Sequence, residues 1–118
     1  MGYRSDVALA LSGAGQRRLM HAASETDNET RQDLKDLLQS GLVREDEGTQ
    51  DALYFWDDIK WYPDCFPGPG FLEAFLESLE PEEYLFLRLG EDWDDSQSRG
   101  LWWENPFEAC MVRRIEFI

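Results

Sequence analysis

"ALYFWDDIKWY" occupies residues 52–62. Five of its eleven residues are aromatic, and aromatic side chains suit the pleated surface of a strand. An extended chain turns successive side chains to opposite faces. One face then carries Leu53, Phe55, Asp57, Ile59 and Trp61, and the other carries Tyr54, Trp56, Asp58, Lys60 and Tyr62. Neither face is cleanly polar, so both are expected to meet other parts of the protein.

Upstream, "YRSDVALALS" (3–12) alternates Val7, Leu9 and Leu11 with small or polar neighbours, which predicts a second strand. "GAG" (13–15) reads as a turn. "QRRLMHAA" (16–23) reads as a short helix with Leu19, Met20 and Ala23 inward. Asp27 or Thr26 can cap a second helix that buries Leu34, Leu37 and Leu38 and stops at Gly41. "LVREDE" (42–47) predicts a strand, and "GTQD" a turn.

Downstream, the three prolines and two glycines of "PDCFPGPG" (63–70) predict an irregular loop. "FLEAFLESLE" (71–80) predicts an amphipathic helix, with Phe71, Leu72, Phe75, Leu76 and Leu79 in one stripe and Glu73, Glu77 and Glu80 on another face. Pro81 ends it. "EEYLFLRLGE" (82–91) reads as a strand, "GEDWDDSQSRG" (90–100) opens a loop, and "EACMVRRIEFI" (108–118) reads as a final strand. The order is β-α-α-β-β-α-β-β. This implies an α+β fold, a mainly antiparallel sheet with two or three short helices packed on one face. At 118 residues the chain is expected to be a single domain, 1–118.

Twenty-five acids oppose eleven bases, a formal charge of −14. Residues 1–59 hold twelve acids and six bases, and the remainder thirteen and five, so the charge is not confined to a tail. Such a field repels nucleic acid and anionic membrane and speeds encounter with basic partners. No apolar run approaches a membrane span, and no secretory leader is legible. Reduced thiols in a cytoplasm are the default expectation for two cysteines without metal-ligand spacing.

Specific chemistry finds little support. "EDWDD" (91–95) supplies oxygens but lacks the alternation, central glycine and distal glutamate of a calcium loop. Asp57 and Asp58 are adjacent on a strand and point to opposite faces, so they cannot share a substrate unless the strand bulges. "SGAGQ" lacks the Lys-Ser/Thr ending of a phosphate loop. His21 reads as a helix-surface or half-buried residue, Cys65 as an exposed loop residue and Cys110 as core. No catalytic residue, metal or cofactor is assigned.

The acids between Glu73 and Asp95 are the most informative feature. Nine acids (Glu73, Glu77, Glu80, Glu82, Glu83, Glu91, Asp92, Asp94 and Asp95) accompany a single base, Arg88. If the 91–95 loop folds beside the helix, they form one negative face. Carboxylates at this density can occupy the Lys/Arg array with which a nucleic-acid-handling protein neutralises phosphates. Trp93, Trp102 and Trp103 are candidate aromatic anchors. The expected partner is thus a basic protein or nucleoprotein complex, without direct nucleic-acid binding or membrane contact. Oligomeric state is left open. Two other readings stand beside this one. The first is an interaction module using Trp102, Trp103 and Phe107. The second is a small metal-dependent enzyme centred on Asp57, Asp58 and the 91–95 loop.

Several short segments also follow a recognisable order. They are "MGYRSDV" at the start, "WDDIKWY" (Trp56 to Tyr62), "RLGE" (Arg88 to Glu91), Asp94 to Gly100, and "RRIEF" (Arg113 to Phe117). The chain resembles a group of small proteins encoded in tailed-phage genomes. That group opens M-G-Y-R-S-[DE]-V, continues with W-x-x-[IV]-K-W-Y, R-[LI]-G-E and D-x-x-x-x-x-G, and closes R-x-I-[DE]-[FW]. The likeness covers the ends and the middle and leaves 14–50 unmatched. It implies an accessory protein acting in the cytoplasm of an infected bacterial host. Small phage accessory proteins often inhibit host machinery, including CRISPR complexes, nucleases and polymerases. The motif residues Arg4, Lys60, Trp61 and Arg88 have a simpler reading as ties that hold the sheet together.

Overall fold

A computed structural model describes residues 2–112 of the chain. The elements run β1 (Ser5–Leu11), α1 (Gly13–Ser24), α2 (Asn28–Gly41), β2 (Leu42–Glu45), β3 (Ala52–Ile59), α3 (Pro67–Leu76), one 3-10 turn (Pro81–Glu83), β4 (Tyr84–Gly90) and β5 (Ser96–Gly100). The five strands form one antiparallel sheet in the order β2-β3-β1-β4-β5. The fold is α+β, as the alternating patterns imply.

β1 lies at the centre because both of its faces can be covered. Val7, Leu9 and Leu11 face a core that contains Leu19, Leu34, Leu72, Leu76 and Phe86, contributed by the three helices and β4. On the opposite face Ala10 packs with Leu85 and Leu87 under Trp102, Phe107 and Met111. That second cover is a loop. Buried Asn105 holds it together by donating to the carbonyls of Trp102 and Ala109 and accepting from the amides of Phe107 and Ala109.

β3 shifts phase partway along. Val7 pairs with Trp56 and Ser5 with Ile59, so two steps on β1 match three on β3. The extra residue is absorbed where Asp58 adopts φ 52°, which makes a bulge. Strict alternation put Trp56 and Trp61 on opposite faces. The bulge puts them together, with ring centroids 5.4 Å apart, and Trp61 continues to Phe86 at 5.9 Å.

The helix starts follow local chemistry. Ser12 accepts from the Gly15 amide at 3.0 Å and Asp27 from the Thr30 amide at 2.9 Å, which satisfies orphan donors of α1 and α2. "GAG" is therefore the first turn of α1 and not a separate turn. Met20, expected inward, is 52% exposed at the outer edge of that helix. The 63–70 stretch also differs from expectation, because α3 begins at Pro67. A proline in the first helical turn lacks only an N–H that had no intrahelical acceptor. Asp33 on α2 accepts from the Gly68 amide at 2.6 Å and caps α3 from outside.

The last strand is also displaced from its expected place. Residues 108–112 take no strand conformation, and the rest of the expected 108–118 strand lies outside the described residues. The fifth strand is instead the polar "SQSRG", paired from Leu89↔Ser96 to Leu85↔Gly100. Gly100 ends it at φ 85°, against the Tyr84 carbonyl, where a Cβ has no room.

Candidate protein-binding surface

The sheet register divides the nine acids. Glu80, Glu82 and Glu83 precede β4, and Glu91, Asp92, Asp94 and Asp95 follow it. Strands advance about 3.3 Å per residue, so the seven-residue β4 holds the two groups roughly 20 Å apart. Glu73 and Glu77 lie between them on α3 and its C-terminal cap, where both meet Arg99 of β5.

Several of these carboxylates are committed inside the fold. Glu73 accepts from the Trp61 indole at 2.7 Å and from Arg99 at 3.1 Å, and its side chain is 19% exposed. The Arg99 guanidinium stands over the Phe86 ring. Glu83 pairs with Arg18 at 2.7 Å. Asp95 receives both terminal nitrogens of Arg88, at 2.7 and 3.1 Å, and the Tyr3 hydroxyl at 2.6 Å. These three acids supply structure before they supply surface charge.

Asp95 also sits in a wider network. Arg88 donates to the Ser5 hydroxyl at 3.0 Å and to Gln97 at 3.3 Å. The Tyr3 hydroxyl accepts from the Asp92 amide, and the Tyr3 carbonyl accepts from the Tyr62 hydroxyl at 2.7 Å. Tyr3, Ser5, Tyr62, Arg88, Asp92 and Asp95 thus meet at one corner of the sheet. Arg88 ties Ser5 of β1 to Asp95, while Trp61 bonds Glu73 of α3 and packs on Trp56 and Phe86 in the core.

Around this corner the structure gathers acids that are distant in sequence. β1 begins where β3 and β4 end, with Ser5 opposite both Ile59 and Gly90. Asp6, Asp57 and Asp58 therefore join Glu91, Asp92 and Asp94, and all six are exposed. Arg4 sits among them, its backbone amide on the Glu91 carboxylate and its guanidinium on the Asp58 carbonyl. Asp6 accepts from the Asp58 amide at 2.9 Å. The Asp6 carboxylate, hydrogen-bonded to Asp57 and like-charged, raises the Asp57 carboxyl above its ordinary value, with smaller contributions from burial and Asp58. Asp6 gave no signal in the sequence beyond one acid in an alternating strand. The grouping of Asp57 and Asp58 depends on the bulge.

The aromatic candidates separate as well. Trp93 is 68% exposed within the acidic loop, and Trp103 is 49% exposed near the other end of the sheet. Trp102 is half-buried against Ala10, Leu85 and Leu87 and belongs to the second core. Phe107 is half-buried beneath the Arg44 guanidinium.

His21 is exposed and pairs with Glu25 at 2.7 Å. Cys65 is exposed as expected. Cys110 is exposed too, and not core, because residues 108–112 around it take no strand conformation. Among the described residues no three His, Cys, Asp or Glu side chains are grouped to hold a metal ion, and no helix is long and apolar enough to cross a membrane. Comparison of the chain with protein-family models, curated proteins and solved structures finds no match.

Proposed function

We propose that the chain is a phage-encoded, non-enzymatic inhibitor. It acts in the cytoplasm of an infected bacterial host and binds a basic, nucleic-acid-handling protein. A CRISPR effector complex or a nuclease is the kind of target meant. The acidic surface would stand in for nucleic-acid phosphates on that target. The observation that carries this reading is the acidic corner, where Asp6, Asp57, Asp58, Glu91, Asp92 and Asp94 are exposed around Trp93. Exposed carboxylates gathered at one corner make a surface that a Lys/Arg array on a partner can complement. An exposed tryptophan inside such a field can anchor a contact that charge alone only steers.

The test is capture from bacterial lysate followed by binding measurements on the captured partner. An Asp92→Asn/Asp94→Asn variant should weaken binding about tenfold, the loss of roughly 0.7 kcal/mol per rim charge. The slope of log Kd against log salt should fall with it. A partner that binds both proteins equally, with an unchanged slope, would remove the acidic corner from the contact. It would favour Trp103 and Leu101, which are 49% and 60% exposed.

A further inference from the structure

A groove of about 430 Å³ lies between α1 and α2. Small-molecule sites occupy about 300–1,000 Å³ and are mostly apolar, with a few polar groups that fix orientation. Met20 and Ala23 of α1 and Leu34 and Leu38 of α2 make this groove apolar. Met20 is 52% exposed, whereas its neighbour Leu19 is fully buried in the core. A flexible, polarizable methionine adapts to the shape of an apolar ligand. The charge at the groove has the opposite sign to that of the chain as a whole. Among the described residues, the charged ones that line it are Arg31 and Lys35, in a chain of formal charge −14. They stand four positions apart on α2 and share one face of it. The Arg31 guanidinium donates to the carbonyls of Ala23, Ser24 and Thr26 and to the Asn28 side chain. These neutral acceptors fix the guanidinium in place without cancelling its charge. The acids next to the groove in sequence, Glu25 and Asp36, are engaged by His21 and Gln32. Acids beyond about 8 Å are largely screened at physiological salt.

We propose that this groove binds a small amphiphilic carboxylate, an alkyl chain that ends in one anionic group. The chain lies on Leu34 and Leu38 between Met20 and Ala23, and the carboxylate takes the Lys35 ammonium within the field of Arg31. Charge decides the head group. A neutral head leaves both cations unused, and a cationic head meets like charge. A carboxylate gains charge-assisted hydrogen bonds from an ammonium as well as Coulomb attraction. Length decides against a protein helix as the occupant. From Arg31 to Leu38 the floor runs about 10 Å, or two helical turns, which suits an alkyl chain and falls short of a docked helix of about three turns or more. The groove belongs to the helix layer and shares no residue with the acidic corner, so the inference does not depend on the proposed target.

The experiment is an NMR titration of the full-length protein with decanoate, read on the methyl groups of Met20, Ala23, Leu34 and Leu38. Saturable shifts at these methyls are expected, while the amide resonances of β1 stay in place. Decyltrimethylammonium, with the same chain and a cationic head, should bind at least about tenfold more weakly. Lys35→Glu should weaken decanoate about tenfold. Met20→Asp, at an exposed position, should abolish the shifts while the amide spectrum remains that of the folded parent. Absence of saturable shifts at the four methyls overturns the site, and so do shifts of equal size at other exposed apolar residues such as Phe55 and Trp103. Equal binding of the two head groups, or an unchanged decanoate affinity in Lys35→Glu, overturns the carboxylate as the ligand.

Discussion

Asp95 is the acid whose replacement separates structure from surface charge most cleanly. Asp95→Ala removes two bonds from Arg88 and one from Tyr3 and leaves the guanidinium with Ser5 and Gln97. The Arg88 and Asp95 side chains are 18% and 30% exposed. Breaking a fully buried pair costs about 3–5 kcal/mol, and an exposed pair contributes at most about 1 kcal/mol. The intermediate exposure places the loss at about 2–3 kcal/mol. Domains of this kind are stable by about 5–15 kcal/mol, so the variant folds with a reduced margin. At about 4 °C per kcal/mol, Tm should fall by roughly 8–12 °C. Urea unfolding followed by tryptophan fluorescence measures the loss as a lower midpoint at unchanged m. Exposed Asp94→Asn is the control and should stay within about 0.5 kcal/mol of the parent. An Asp95→Ala loss below about 0.5 kcal/mol, or an Arg88→Ala/Asp95→Ala cycle with no coupling, would refute the view that this pair holds the corner together.

Other consequences follow from particular contacts. Gly41 closes α2 against the Trp56 indole, so Gly41→Ala drives a methyl into the ring and should cost about 1–3 kcal/mol by urea unfolding. Phe86 is fully buried between Trp61 and the helices, and Phe86→Ala should cost about 3–5 kcal/mol in the same assay. Two aspartates titrate with opposite consequences. The Thr30 amide, and then its hydroxyl, hold Asp27 below its ordinary value of 3.8, so its stabilisation is complete above 3.8 and is lost as pH falls through the lowered folded value. Asp57 is raised, so its ionisation costs stability above the raised value, and acidification through the window just above 3.8 relieves that cost. Carboxyl-carbon NMR titration checks both signs, with Asp27 expected below 3.8 and Asp57 above it.

Much of the architecture was legible because apolar period reports local conformation and caps report helix ends. β1, β3 and β4 were visible in "VALAL", "ALYFW" and "YLFLRL", and α2 in Asp27, Leu34, Leu38 and Gly41. These residues settle the antiparallel α+β class by themselves, since their hydrophobic faces can be buried in few ways. β5 was not legible. "SQSRG" has no apolar alternation, and an edge strand held by β4 hydrogen bonds and the pairing of Arg99 with Glu73 needs none. The apolar run "ACMV" suggested a strand for the opposite reason, because a loop that covers a sheet face is as apolar as a strand inside it. Charge followed the same division. Composition alone established a strongly acidic protein. Only the tertiary structure decided which acids are tied down by Arg18, Arg88 and Arg99, and which meet at one corner of the sheet. The bulge at Asp58 and the antiparallel register bring Asp6, Asp57 and Asp58 beside the 91–95 loop. Sequence spacing carries no trace of that meeting, because strand pairing brings together residues more than 80 positions apart.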